Sequence, residues 1–160
     1  MNCCCHKHTQ RWRDLLPDLA KRGVLGVEGA EQPAAIAKER GVPTVDRFFG
    51  IGSVDAVREQ LPPGKGVRLV LGMNVLAHTD NISEFLPLVV ELMEEDSVFV
   101  SQSHWLAALT RNFEFDTIYH EHLRYYTLHS LIRVFERHGL GIEDAEITDF
   151  YGGSILAYAK

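Results

Sequence analysis

The chain has 160 residues, 46% of them hydrophobic and 24% charged, which is ordinary for one soluble globular domain and excludes a disordered tail, a collagen-like chain or a coiled coil. Its net charge of −6 argues against a nucleic-acid partner. Its longest apolar stretches, such as 85–93, fall short of the ~18 residues that span a bilayer.

Residues 1–14 carry no apolar period and read as a disordered lead-in. All the cysteines fall there, at Cys3, Cys4 and Cys5, so no disulfide is expected in the body and a reducing, cytoplasmic setting fits. No secretory signal is visible. From about residue 15 short apolar runs alternate with helical segments. Gly23–Glu28 reads as a buried strand ending on an acid. Glu31–Arg40 is an Ala-rich helix that tolerates Pro33 in its first turn and stops at Gly41. Val42–Asp46 is a second strand, and Ser53–Gln60 a helix with Ser53 as N-cap. Pro62 to Gly66 form a turn, and Val67–Met73 is an apolar strand expected at the centre of its sheet. Residues 83–94 make a buried helix, in which Pro87 fits only near the start. Ser97–Gln102 is a strand and Trp105–Arg111 a short helix. In Thr127–His138, Leu128, Leu131, Ile132 and Phe135 share one face, with Thr127 capping the start and Gly139 the end. Ile142–Ile147 and Ile155–Ala159 are the last strands, separated by Gly152–Gly153.

Alternating strands and helices indicate an α/β fold, a doubly wound parallel sheet with helices on both faces. Ligands bind such sheets at the carboxyl ends of the strands. Glu28 stands at one such end, where a carboxylate can accept bonds from a ribose diol. The Gly-rich turn that should precede it by roughly 20 residues is missing, since residues 1–22 contain no glycine. Asn74 and His78 follow the strand at 67–73 and are placed for ligand contact or for a plain capping role.

Tyr119-His120-Glu121-His122 is the densest chemical cluster. If extended, it puts Tyr119 and Glu121 on one side; if a helical turn, it brings Tyr119 to His122. A carboxylate beside an imidazole raises the His pKa and tunes a general base, and a nearby tyrosine hydroxyl can donate to an enolate oxygen. A metal reading competes: His120 and His122 with His78, His104 or His129, or zinc on Cys3–Cys5 with His6 and His8.

The pieces VLGVEGAEQPAAIAKERGVPTVDRFFG, MNVLAHTDNISEFL, FEFDTIYHEHLRYYTLHSLIRVFERHGL and YGGS closely resemble the S-adenosylmethionine-dependent sugar C-methyltransferases. Members methylate C3 of nucleotide-activated 4-keto-deoxysugars. The resemblance runs from about residue 19 to the end, and the YHEHLxY string is specific to the family. It implies a Rossmann-like class I methyltransferase core, incomplete at its N-terminus, over residues 15–160, with an active-site segment at 113–126. It implies S-adenosylmethionine as cofactor and a nucleotide-sugar as substrate. Glu28 matches the ribose-binding acid, and Asp46, Phe48 and Phe49 fall in the stretch lining the adenine pocket. Asn74 and His78 lie in the stretch beside the methionine part. Tyr119, Glu121 and His122 match the catalytic tyrosine, glutamate and general base, with Glu121 supporting the His122 imidazolium. Gly152 and Gly153 match a substrate-side glycine pair. No metal is implied at these positions.

The sequence also departs from the family. A zinc domain of spaced cysteines, a lid tyrosine, the Gly-rich cofactor loop and a C-terminal domain are not matched. Gln102-Ser103-His104-Trp105 replaces Glu-x-Pro-Tyr, and Tyr151 stands where a histidine precedes the glycine pair. The chain therefore reads as the middle of such an enzyme, a C-methyltransferase or relict of one. The alternative is a non-catalytic binding protein that keeps the fold. A missing strand would leave an exposed sheet edge and invite homo-oligomer formation.

Overall fold

The computed structural model describes residues 23–160. The expected lead-in at 1–14, with its Cys and His cluster, lies outside them. The chain divides into two compact units at Gln60/Leu61.

In the first unit, β1 (Gly26–Val27) pairs in parallel with β2 (Thr44–Val45), Gly26 opposite Thr44. The helix α1 (Glu31–Glu39) connects them. It ends where Gly41 takes φ +80°, and Val42 N–H then bonds the Ala37 carbonyl at 3.0 Å. Ala34, Val42, Val45, Val54 and Val57 are buried. The helix α2 (Ile51–Arg58) begins two residues before the expected Ser53 start. Gly50 is the cap, and Ser53 reaches back from the first turn: its Oγ accepts from Gly50 N–H at 2.9 Å and donates to the Gly50 carbonyl at 2.8 Å. The expectation of Ser53 as N-cap is corrected in position but not in chemistry.

In the second unit, β3 (Val67–Met73), β4 (Met93–His104), β5 (Ile142–Thr148) and β6 (Ser154–Ala159) form a sheet ordered β3-β4-β6-β5. β3 and β4 are parallel, whereas β6 is antiparallel to both its neighbours. The parallel sheet expected from strand-helix alternation is thus mixed, with β6 running against its neighbours. The short 149–153 connection from β5 to β6 cannot hold the crossover of about a dozen residues that a parallel partner needs. The central position expected for β3 is corrected too. It lies at the edge of the described sheet, with Leu69 and Leu71 exposed. An apolar run shows that a strand can be buried, not that a neighbour exists on each side.

Three helices accompany this sheet: α3 (Ile82–Leu92), α4 (Leu106–Asn112) and α5 (Leu128–Glu136). Pro87 sits in the second turn of α3, later than expected, so one i→i−4 bond is forgone there. Leu86, Leu88, Val89 and Leu92 are buried, while Pro87 and Val90 face out. In α5, Thr127 Oγ1 accepts from Ser130 N–H at 3.1 Å and Ser130 Oγ accepts from Thr127 N–H at 2.9 Å. Phe135 of α5 stacks on Phe99 of β4 with centroids 5.6 Å apart, and both are fully buried with Leu131 and Ile155.

Candidate active site

The tips of β3 and β4 carry the polar residues of the second unit. After β3, Asn74 turns with φ +55°, held by its N–H on the Gln102 carbonyl at 2.9 Å. That left-handed conformation is uncommon outside glycine, though asparagine tolerates it. The Asn74 Oδ1 is buried without a hydrogen-bond partner, an acceptor held out of water.

Residues 119–126 are stitched onto the loop after β3. Leu123 N–H donates to the Ala77 carbonyl at 2.8 Å, and Tyr126 Oη to the Leu76 carbonyl at 3.4 Å. The Arg124 guanidinium donates to the Thr79 carbonyl and, at 2.7 Å, to the Asp80 carbonyl. Of the two arrangements open to the YHEH segment, the turn is adopted: His122 N–H bonds the Tyr119 carbonyl at 3.0 Å, which brings the two side chains together.

His122 is 8% exposed and has partners at both ring nitrogens. Nδ1 lies 2.8 Å from the Thr117 carbonyl, and Nε2 lies 3.2 Å from Tyr119 Oη. A carbonyl oxygen only accepts, so the proton sits on Nδ1. Nε2 is then the lone-pair nitrogen, and the Tyr119 hydroxyl donates to it. The rings of His78 and His104 lie 4.8 and 5.1 Å from the His122 ring, and Tyr151 stands 5.2 Å beyond His104.

The pairing of Glu121 with His122 is corrected. Glu121 Oε1 lies 3.9 Å from Nε2 of the exposed His120, while the Thr117 main chain takes His122 Nδ1. The His78 ring lies beside this turn, its centroid 4.8 Å from that of His122. Burial pushes its pKa below the ordinary imidazole value, the charge of His122 lowers it further, and Glu121 opposes both. A lowered folded pKa means the unfolded chain binds the proton more readily. The stability His78 contributes is thus full above its ordinary value of 6.5 and is lost as pH falls from there through the folded pKa. Denaturant melts across this window are expected to show that loss, and His78→Gln to flatten it.

Gly152 and Gly153 form the turn into β6, with φ +75° and +138°. Their reason is close packing. A Cβ on Gly153 would lie 2.4 Å from Ala108 Cβ, and one on Gly152 would lie 2.1 Å from Glu114 Oε1. The Glu114 carboxylate can swing aside, whereas Ala108 cannot. Gly153→Ala is expected to cost about 2–4 kcal/mol in unfolding free energy, from strain and overpacking together. Gly152→Ala should cost about 1–2 kcal/mol, the left-handed penalty alone. Equal effects in urea unfolding would contradict this account of the pair.

In the first unit, Glu28 follows β1 and Asp46 follows β2. Both line a cleft of about 280 Å³ with Ala35 and Lys38. Glu28 Oε1 accepts from Ala30 N–H at 2.8 Å, and Lys38 pairs with Asp46. The Phe48 ring is 82% exposed and lies over Gly29, where any Cβ would come within 2.5 Å of it. Phe49 is half-buried beside it in sequence.

Sequence reasoning underweighted His104 and Tyr151 and missed the Thr117 carbonyl. Tyr151 was flagged only as a departure, and His104 as a departure and a possible metal ligand; a main-chain partner leaves no residue-type signal. Among the described residues no group of three or more His, Cys, Asp or Glu could hold a metal ion, which overturns the ligand sets drawn from His78, His104, His120, His122 and His129. Both nitrogens of His122 are already engaged, and His120 faces solvent.

No protein-family model matches the chain. The fold is that of the S-adenosylmethionine-dependent methyltransferases. A methyltransferase of Archaeoglobus fulgidus superposes with TM-score 0.63 at 16% identity, over 91% of this chain and 81% of that one. Magnesium protoporphyrin IX methyltransferase from Synechocystis PCC 6803, solved with bound SAH, gives TM-score 0.60 at 19% identity, over 91% and 68%. In sequence the chain is similar to C-methyltransferase NovU of Streptomyces niveus, at 39% identity over 138 residues, 85% of this chain and 32% of that protein. It spans about a third of that relative's length.

Proposed function

We propose that these residues belong to an S-adenosylmethionine-dependent C-methyltransferase that acts on a nucleotide-activated 4-keto-deoxysugar. The observation that carries this reading is the state of His122: a nearly buried imidazole whose Nδ1 proton is held by a carbonyl, leaving Nε2 as a base. Nε2 takes the proton from the carbon beside the ketone, and the electron pair of that C–H bond moves into an enolate. Tyr119 Oη, which rests on Nε2, then donates instead to the developing oxyanion. The Thr117 carbonyl steadies the imidazolium through Nδ1–H. The Glu121 carboxylate lies on the His120 side, so its support of His122 is indirect. Gly152 and Gly153, in the turn carrying Tyr151, lie on the substrate side.

The cofactor, when bound, supplies an electrophilic methyl group. Each unit, taken by itself, carries residues that fit a part of such a molecule. In the first unit Glu28 offers a carboxylate to a ribose diol in a cleft that Asp46 also lines, and Phe48 and Phe49, which follow Asp46 in sequence, would serve the adenine. Asn74 Oδ1 offers a buried, partnerless acceptor to the methionyl ammonium, near His78.

The test is transfer of an isotope-labelled methyl group to a 4-keto nucleotide-sugar, read by mass spectrometry. Label on the carbon next to the carbonyl supports the reading. Protein that binds the cofactor and transfers nothing favours a non-catalytic binding protein.

The open side of β3 points to self-association. Only β4 pairs with β3 among the described strands, and Leu69 and Leu71 are exposed on one face. Two copies joined edge to edge would pair the open backbone groups of β3 and set Leu69 and Leu71 beside the same residues of the second copy, shielding them in part. Sedimentation velocity is expected to show a dimer that Leu71→Lys dissociates; a monomer at all concentrations contradicts this.

A further inference from the structure

The Thr117 carbonyl receives two side-chain donors. His122 Nδ1 lies at 2.8 Å and Tyr125 Oη at 3.1 Å. The same residue closes the 3-10 turn Phe115–Thr117, where its Oγ1 donates to the Glu114 carbonyl at 2.7 Å. The Tyr125 ring stands edge-on to His122, centroids 6.0 Å apart. A carbonyl has two lone pairs, so both donors can be accepted at once. Tyr125 occupying one of them fixes the peptide plane, and the other lone pair then faces Nδ1.

This matters because the nitrogen that carries the proton is set by the bond the other makes. With the proton on Nε2, His122 would set its Nδ1 lone pair against a carbonyl oxygen, and Nε2, the nitrogen that faces Tyr119, would have none with which to act as a base. We propose that Tyr125 is a positioning residue that works through the Thr117 carbonyl to lock His122 with its proton on Nδ1. Glu121, whose carboxylate lies against His120, takes no part in that lock. The inference rests on His122 being the base, as argued above.

Heteronuclear NMR of the imidazole nitrogens, on the full chain without ligand, tests it. In the native sequence His122 is expected to show a protonated Nδ1 and an unprotonated Nε2. Tyr125→Phe should give a mixture of the two tautomers, and Glu121→Gln should leave the native pattern in place. A folded Tyr125→Phe protein with unchanged nitrogen shifts overturns the proposal, as does a native His122 protonated on Nε2 or a Glu121→Gln shift to the mixed form. Should Tyr125→Phe fail to fold, the native protein gives a second reading. A slowly exchanging Tyr125 hydroxyl proton close to the Nδ1 proton supports the lock, and its absence overturns it. The tautomer is read without substrate or cofactor, so absence of methyl transfer would contradict the proposed function while leaving this result intact.

Discussion

His122→Ala is expected to lower methyl transfer by about 10²–10⁴-fold, the usual contribution of a positioned general base. The loss should fall on the chemical step and leave cofactor affinity unchanged, because the ring binds only Thr117, Tyr119 and its aromatic neighbours within its own unit. Truncation also removes the His122 bonds to the Thr117 carbonyl, which keeps Tyr125 Oη, and to the Tyr119 hydroxyl, at about 0.5–1.5 kcal/mol for each bond lost. Circular dichroism and a urea melt must therefore accompany the kinetics. Full activity in a folded His122→Ala protein would remove the base from the mechanism. Glu121→Gln should cost far less, since that carboxylate addresses His120 and not the base.

Phe99→Ala is expected to be the most damaging core change. Phe99 is fully buried at the centre of β4, stacked on Phe135, and its ring edge sits 2.9 Å from where a Cβ on Gly72 would be. It thus joins β3, β4 and α5. Deleting a buried phenylalanine costs about 3–5 kcal/mol, and the lost ring pair adds about 0.5–1.5 kcal/mol. Against a typical total of about 5–15 kcal/mol, that change leaves the unit at the margin of folding. Phe115→Ala, at a position 71% exposed, should shift stability by no more than about 0.5 kcal/mol. Comparable urea midpoints for the two variants would mean that Phe99 does not hold the core together.

Much of this was legible in the sequence where local chemistry decides. The Thr127–Ser130 capping box, the Gly41 and Gly139 helix ends and the β3 segment are set by residues within a few positions of one another. What depends on distant chain was less legible. The reversal of β6 follows from a five-residue-scale connection that was read only as a turn, and the edge position of β3 follows from which strands exist beside it. In the site, the meeting of Tyr119 and His122 was available from their spacing. The Thr117 carbonyl was not, because every residue carries one. The fate of Glu121 shows the limit of adjacency: neighbours in sequence point different ways in a turn, so His120 and not His122 received the carboxylate.

The most direct measurement is proton exchange at the substrate alone. The protein is incubated in deuterated water with a 4-keto nucleotide-sugar and no cofactor, and deuterium at the carbon beside the ketone is followed. The account predicts exchange with the native protein and background exchange with His122→Ala. Equal exchange in the two, with both folded, would contradict it.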